Sequence, residues 1–174
     1  KIKKNSLPIQ KRPFVEKSRF VLESSTFVQD QISTVYPFDY VGLYHREKFI
    51  ELGGFDYTIT SPYWQLLDFG IRAWLWGEKI KITTALQISY SVEEAPVEDK
   101  TPCLDSLRFY LKNELPKFKD DHAYIRKMHF WKFFNHSGCR ILEARRQFFD
   151  AMDWVFVNKF NFKMELSELI EKWE

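Results

Sequence analysis

Two glycine stops and one Ser-Pro step constrain residues 39–80 more tightly than anything else in the chain. Gly53-Gly54 ends a short apolar segment, because a helix end commonly needs a residue at ease with positive φ. Ser61-Pro62 opens the next helix: Ser suits the cap and Pro the first turn. Gly77 closes that helix just after Trp76. Around these points, Asp39–Tyr44 is short, apolar and β-prone, which predicts a buried strand. Arg46–Leu52 predicts a short helix, Pro62–Trp76 a long one, and Lys79–Tyr90 alternates as a strand does. In the long helix Trp64, Ile71, Trp74 and Leu75 spread around the axis, which predicts a helix wedged between the sheet and another layer. Asp68 and Arg72 are four apart and share a face, with the acid N-terminal. Taken alone, they read as a surface ion pair worth only ~0.3–0.5 kcal/mol.

The remainder of the chain divides at about residue 100. Lys1–Lys17 is basic and carries Pro8 and Pro13, so it reads as an irregular lead-in with no apolar core of a signal peptide. The lack of an initiator Met makes the chain read as a piece of something longer. Arg19–Glu23 suits a short strand. Residues 91–100 read as an acidic loop, and an exposed acidic loop needs no metal to explain it. From Thr101-Pro102 the pattern turns helical. It predicts a helix up to Pro116, a second from His122 to about His136 capped by Asp120 or Asp121, a third over Arg140–Asn158 and a last one over Met164–Trp173. The expected organisation is 1–100 as one unit with 101–174 as a helical extension packed on it.

Composition excludes several function classes. A net charge of +2 gives no reason to expect a polyanionic partner, and no nucleic acid is expected. Cys103 and Cys139 are far apart with no C-x-x-C spacing, which points to a reducing compartment, and the expected location is cytoplasmic. His122, His129 and His136 recur every seven residues, but helix positions seven apart lie ~10.5 Å apart along the axis and cannot share one ion. Aromatic residues make up 18% of the chain, enough for either a thick core or a face that stacks on sugars or a partner.

The central stretch resembles the acceptor-side half of GT-A glycosyltransferases of the family-two type. Gly53, Gly54, Phe55 and Asp56 match the "GGFDE" turn of that family, with Tyr57 where an acid is usual. Asp68, Phe69, Arg72, Gly77 and Ile80 match its acidic helix in order and spacing, whereas the leading acid pair falls on Gln65 and Leu66. The matched residues span about a quarter of the chain. The resemblance implies an α/β fold: the second half of a GT-A-like mixed sheet flanked by helices, followed by a helical C-terminal tail. It implies transfer of a sugar from a nucleotide-sugar donor to a hydroxyl of a sugar-bearing acceptor, with inversion and one general base. Asp68 is the first candidate for that base and Asp39 the second. Arg72 would orient or neutralise the acid. Tyr63, Trp64 and Gln65 would line the acceptor pocket, with Asp56 beside them. A divalent metal, Mg or Mn, is implied for the full-length enzyme; the family often adds a late histidine to its ligands, but neither His129 nor His136 is expected to take that role. This chain alone shows no acid-x-acid pair or phosphate loop to hold it. The nucleotide-binding half is absent from these residues, so the chain alone is expected to be inactive.

Two other readings stand beside this one. The Gln65-Leu66 departure fits a non-catalytic carbohydrate- or protein-binding domain that keeps the fold without the chemistry. The aromatic helices after Thr101 also fit an interaction module, with the tail meeting a membrane surface or a second copy of the chain.

Overall fold

The computed structural model describes residues 9–17, 19–26, 29–85 and 97–173. It is a mixed α/β fold with two small antiparallel hairpins and a helical C-terminal part. Strand β1 (Gln10–Glu16) pairs with β2 (Arg19–Ser25), from Gln10 opposite Ser25 to Glu16 opposite Arg19. Helix α1 (Arg46–Glu51) ends at Gly53 and Gly54, both at positive φ (78° and 65°), where the sequence places the stop. Helix α2 (Pro62–Leu75) is the central element. Helix α3 (Leu104–Phe109) runs into a π-helical turn, Tyr110–Glu114. A second hairpin, β3 (Lys117–Lys119) with β4 (His122–Tyr124), leads to α4 (His129–Ser137), α5 (Ile141–Val157) and α6 (Leu166–Glu171).

Helix α2 is buried on nearly every side, as its apolar spread predicts. One side joins the main core, where Leu66, Leu67, Ile71 and Leu75 meet Phe109, Leu111, Phe162 and Leu169. The other side, Phe69 and Ala73, packs with Leu52 under a cluster of Tyr44, Phe49 and Phe55. The main core draws on residues from both sides of position 100. Close approach of α2 to the segment 34–36 depends on Gly70. A Cβ there would run into the Val35 carbonyl and lie 2.9 Å from the Tyr36 Cβ. One turn on, the Trp74 indole donates to the Thr34 carbonyl at 3.0 Å. At the helix start, the Asp105 carboxylate accepts from the backbone N–H groups of Thr60 (3.0 Å) and Ser61 (2.8 Å), which ties α3 to α2.

Five expectations are corrected. Asp39–Tyr44 is no strand. Pro37 precedes a 3-10 turn over Phe38–Tyr40, and Asp39 and Tyr40 both take left-handed φ (52° and 60°), which a ladder does not accept. The loop instead helps to wall an apolar cavity of about 400 Å³ with Phe49, Phe69 and Ile80. The strand expected over Lys79–Tyr90 reduces, among the described residues, to one antiparallel bridge between Ser33 and Lys81, flanked by Thr34 N–H to Ile80 O and Ile82 N–H to Ile32 O; residues 86–90 lie outside the described residues. No mixed sheet is formed among the described residues, whose two sheets are both two-stranded hairpins. The lead-in is not irregular throughout, since β1 includes Pro13. Past Lys11, which bonds Thr34 and Val35, the outer edge of β1 has no ladder partner among the described residues, and a residue without an N–H is tolerated there.

The fifth correction concerns Asp120-Asp121. Both residues take left-handed φ (51° and 60°) and join Lys119 to its partner His122. They form the two-residue turn of a hairpin rather than a helix cap, because only primed turns match the twist of paired strands. Residues 122–128 are therefore strand and turn, and His122 lies on β4 while His129 opens α4.

Two polar groups sit unusually deep. Lys11 is 1% exposed, with its Nζ 2.6 Å from Glu98 Oε2, while the Tyr36 hydroxyl donates to Glu98 Oε1 at 2.7 Å. Burial, then Glu98, pushes the Tyr36 phenol far above its usual range. Burial alone raises the Glu114 carboxyl to about 7. The folded chain then keeps a proton that the unfolded chain releases near the usual carboxylate value. Stability contributed by this group is thus full at low pH and falls as pH rises through about 7. Glu114→Gln is expected to be more stable than the parent at pH 8 by about 1–3 kcal/mol, and equal to it near pH 4. Urea midpoints at the two pH values check this. Equal midpoints at pH 8 would contradict it.

Candidate functional site

The motif residues converge on one buried ionic network. Asp68 comes from the middle of α2 and is 0% exposed. Its Oδ2 accepts from Arg72 Nη2 at 2.9 Å, and its Oδ1 accepts from Asn113 Nδ2 at 2.8 Å. Lys112 Nζ lies 3.3 Å from Oδ1. Arg72, one turn along, donates through Nη2 to the Gly54 carbonyl at 2.8 Å and through Nη1 to the Leu52 carbonyl. The guanidinium therefore holds the glycine turn that follows α1. The ion pair that sequence spacing places on a helix surface is in fact interior, and it fastens the turn to α2.

Lys112 extends the network to the surface. Its ammonium bonds Asp56 Oδ2 at 2.9 Å and sits 4.2 Å from the centre of the Trp154 ring on α5. Asp56 Oδ1 accepts from the Thr58 backbone N–H at 2.9 Å and from the Thr58 hydroxyl. Burial pushes the Asp56 carboxyl up, but Lys112 and Thr58 together outweigh it and hold the group at about 2. At neutral pH it is an ionised, paired carboxylate and a weak base.

Asp56, Arg72 and Lys112 open onto a cavity of about 510 Å³ between the Gly53–Thr58 turn, α3 and α5. Its wall carries three buried polar atoms that have no hydrogen-bond partner: Arg72 Nε, Trp76 Nε1 and Gln147 Oε1. The Trp76 and Trp154 rings stack in this wall with centroids 6.0 Å apart and planes 21° apart. Arg108 and Arg146 also line it and make no ion pair with a carboxylate among the described residues. The cavity therefore offers a carboxylate, aromatic surface and cationic side chains within one concave space, with the three unpartnered atoms buried beneath its surface.

The other candidates lie elsewhere. Tyr63, Trp64, Gln65, Asp68 and Asp39 do not line this cavity. Tyr63 is buried in the main core, and burial followed by Glu98 pushes its phenol above the usual range. The Trp64 indole donates to the Thr101 carbonyl at 3.1 Å. Gln65 stands where an acid is usual in the resembled motif. Its amide donates to the Asp56 and Ile59 carbonyls at 3.0 and 2.9 Å, and its Oε1 accepts from the Tyr40 hydroxyl at 2.9 Å. It secures the loop between α1 and α2. Asp39 is half-buried on the 3-10 turn.

Sequence reasoning missed Lys112, Asn113, Gln147 and Trp154, which lie outside the motif. The turn over Tyr110–Glu114 is π-helical, and its extra residue per turn rotates Lys112 and Asn113 inward, off the helical face where a 3.6 period places them. A Lys-Asn pair inside an otherwise apolar stretch was the available signal. Among the described residues no group of three or more His, Cys, Asp or Glu side chains could hold a metal. No family model, no curated protein and no solved structure matches the chain.

Proposed function

We propose that this chain is the acceptor-binding part of a glycosyltransferase, and that the cavity between the glycine turn, α3 and α5 receives the sugar-bearing acceptor. The observation that carries the reading is a concave space walled by the stacked Trp76 and Trp154 rings together with Asp56, Arg108 and Arg146. Sugar hydroxyls both donate and accept, so they can pair with the carboxylate and the guanidinium groups, and an indole face suits the C–H side of a pyranose ring. The motif resemblance supplies the reaction class. The nucleotide-sugar donor and its divalent metal belong to the full-length enzyme in this reading. Among the described residues no cluster of His, Cys, Asp or Glu could hold that metal.

The role of each residue differs from its motif assignment. Asp68 does not reach solvent, so it positions Arg72 and Lys112 and does not take a proton from substrate. Asp56 is the motif carboxylate that faces the cavity. With a pKa held at about 2, it suits hydrogen bonding to an acceptor hydroxyl better than deprotonating it. The same observation favours a second reading, a carbohydrate-binding domain without catalysis. In the full-length protein, Asp56→Asn would leave turnover within a few-fold under the first reading if the base lies elsewhere, and there would be no turnover to lose under the second.

Tryptophan emission during titration with methyl glycosides of hexoses and 6-deoxyhexoses tests the binding claim. A saturable change is expected, weakened about tenfold by Trp76→Phe, which keeps an aromatic group but loses part of the stacking face and the N–H. No saturable change with any glycoside at tens of millimolar would contradict it.

A further inference from the structure

We propose that the outward side of the α4–α5 hairpin docks on an anionic lipid bilayer. The segment 126–146 holds Arg126, Lys127, Lys132, Arg140, Arg145 and Arg146, against a single acid, Glu143. All six cations are exposed, with Arg146 on the cavity wall and the other five outside that cavity, and none pairs with a carboxylate among the described residues. The segment is net +5 in a chain of net charge +2, so the remaining residues are net negative and positive charge is concentrated on this hairpin. The same field reaches His129, where burial first and then Arg126, Lys132 and Lys117 lower the imidazole's affinity for a proton.

Large apolar side chains stand among these cations. Met128 is 72% exposed, Trp131 61% and Leu142 78%. On α4, Met128, Trp131, Lys132 and Asn135 are all exposed and share one helical face, while Phe133 on the opposite face is buried against Phe148 of α5. A Trp next to Lys132 on a short amphipathic helix, with Arg126 and Lys127 just before the helix, is the side-chain chemistry of the bilayer interface: the indole sits at the headgroup level and the cations meet phosphates. Charge decides the occupant. A second copy would bring the same positive patch against this one, and like charges oppose that contact. An anionic bilayer offers phosphate and acyl surface together. Among the described residues no helix is long and apolar enough to cross a membrane, so the contact is at the surface.

Co-sedimentation of the chain with phosphatidylcholine vesicles, with and without about one third phosphatidylglycerol, tests this. The chain is expected to bind the anionic vesicles at low salt and to lose at least about tenfold in partitioning at high salt. Lys132→Glu with Arg140→Glu is expected to cost roughly thirtyfold, at about fivefold or more per cation. Trp131→Ser is expected to weaken binding at every salt concentration. Circular dichroism confirms that these exposed substitutions leave the fold intact. Equal partitioning onto neutral vesicles, indifference to the double charge reversal, or self-association that Trp131→Ser abolishes would each overturn the proposal. So would binding of a single-stranded oligonucleotide without binding of vesicles.

Discussion

Asp68→Ala is expected to destabilise the chain by about 3–5 kcal/mol, a large part of a small domain's total stability. The carboxylate is fully buried and answers three side chains: Arg72, Lys112 and Asn113. Removing it leaves a guanidinium at 3% exposure with no counter-charge other than the more distant Asp56, to which Lys112 is already committed. Leaving an ion buried and unpaired costs more than the pair itself contributes. Asp68→Asn keeps the shape and loses the charge, so it falls between alanine and the parent. Replacing Asp68 and Arg72 together by Leu and Met is expected to cost less than Asp68→Ala, because no lone charge remains at that pair. Urea unfolding of the four proteins measures this directly. A loss under 1 kcal/mol for Asp68→Ala would mean that the network is not structural.

Gly70→Ala is the second large effect, expected to cost at least ~2 kcal/mol. Alanine is the better helix former by up to ~1 kcal/mol, so a helix-propensity argument alone predicts stabilisation. Packing reverses the sign. The added methyl would meet the Val35 carbonyl and the Tyr36 Cβ, and backbone cannot move aside as a flexible side chain can. The shift would also disturb the Trp74–Thr34 bond one turn away. A raised thermal midpoint for Gly70→Ala would contradict the close approach of α2 to residues 34–36.

Local signals were read well from the sequence where one residue decides the backbone. Gly53-Gly54, Ser61-Pro62 and Gly77 each mark a helix boundary for steric reasons that hold in any surroundings. What depended on tertiary context was misread. Asp120-Asp121 suits a helix cap and a hairpin turn equally, and the pairing of Lys119 with His122 settles it. Pro13 reads as a breaker until β1 is seen to have an unpaired side. At the site, the spacing of Asp68 and Arg72 revealed the pair but not its burial, because burial comes from Lys112 and Asn113 more than forty residues away. The π-helical turn that aims those two residues inward has no local signature. The motif therefore located the centre of the network, while the cavity wall from α3 and α5 lay beyond its reach.

The most direct measurement of the central claim is the same glycoside titration resolved by residue, following the six tryptophan indole N–H resonances by NMR. Trp64 and Trp74 already donate to backbone carbonyls, whereas the Trp76 indole nitrogen is buried in the cavity wall without a partner. The account predicts that the Trp76 resonance shifts saturably and its exchange slows, with Trp64 and Trp74 unmoved. An unchanged Trp76 signal, or a shift confined to the exposed Trp131, would contradict acceptor binding in this cavity.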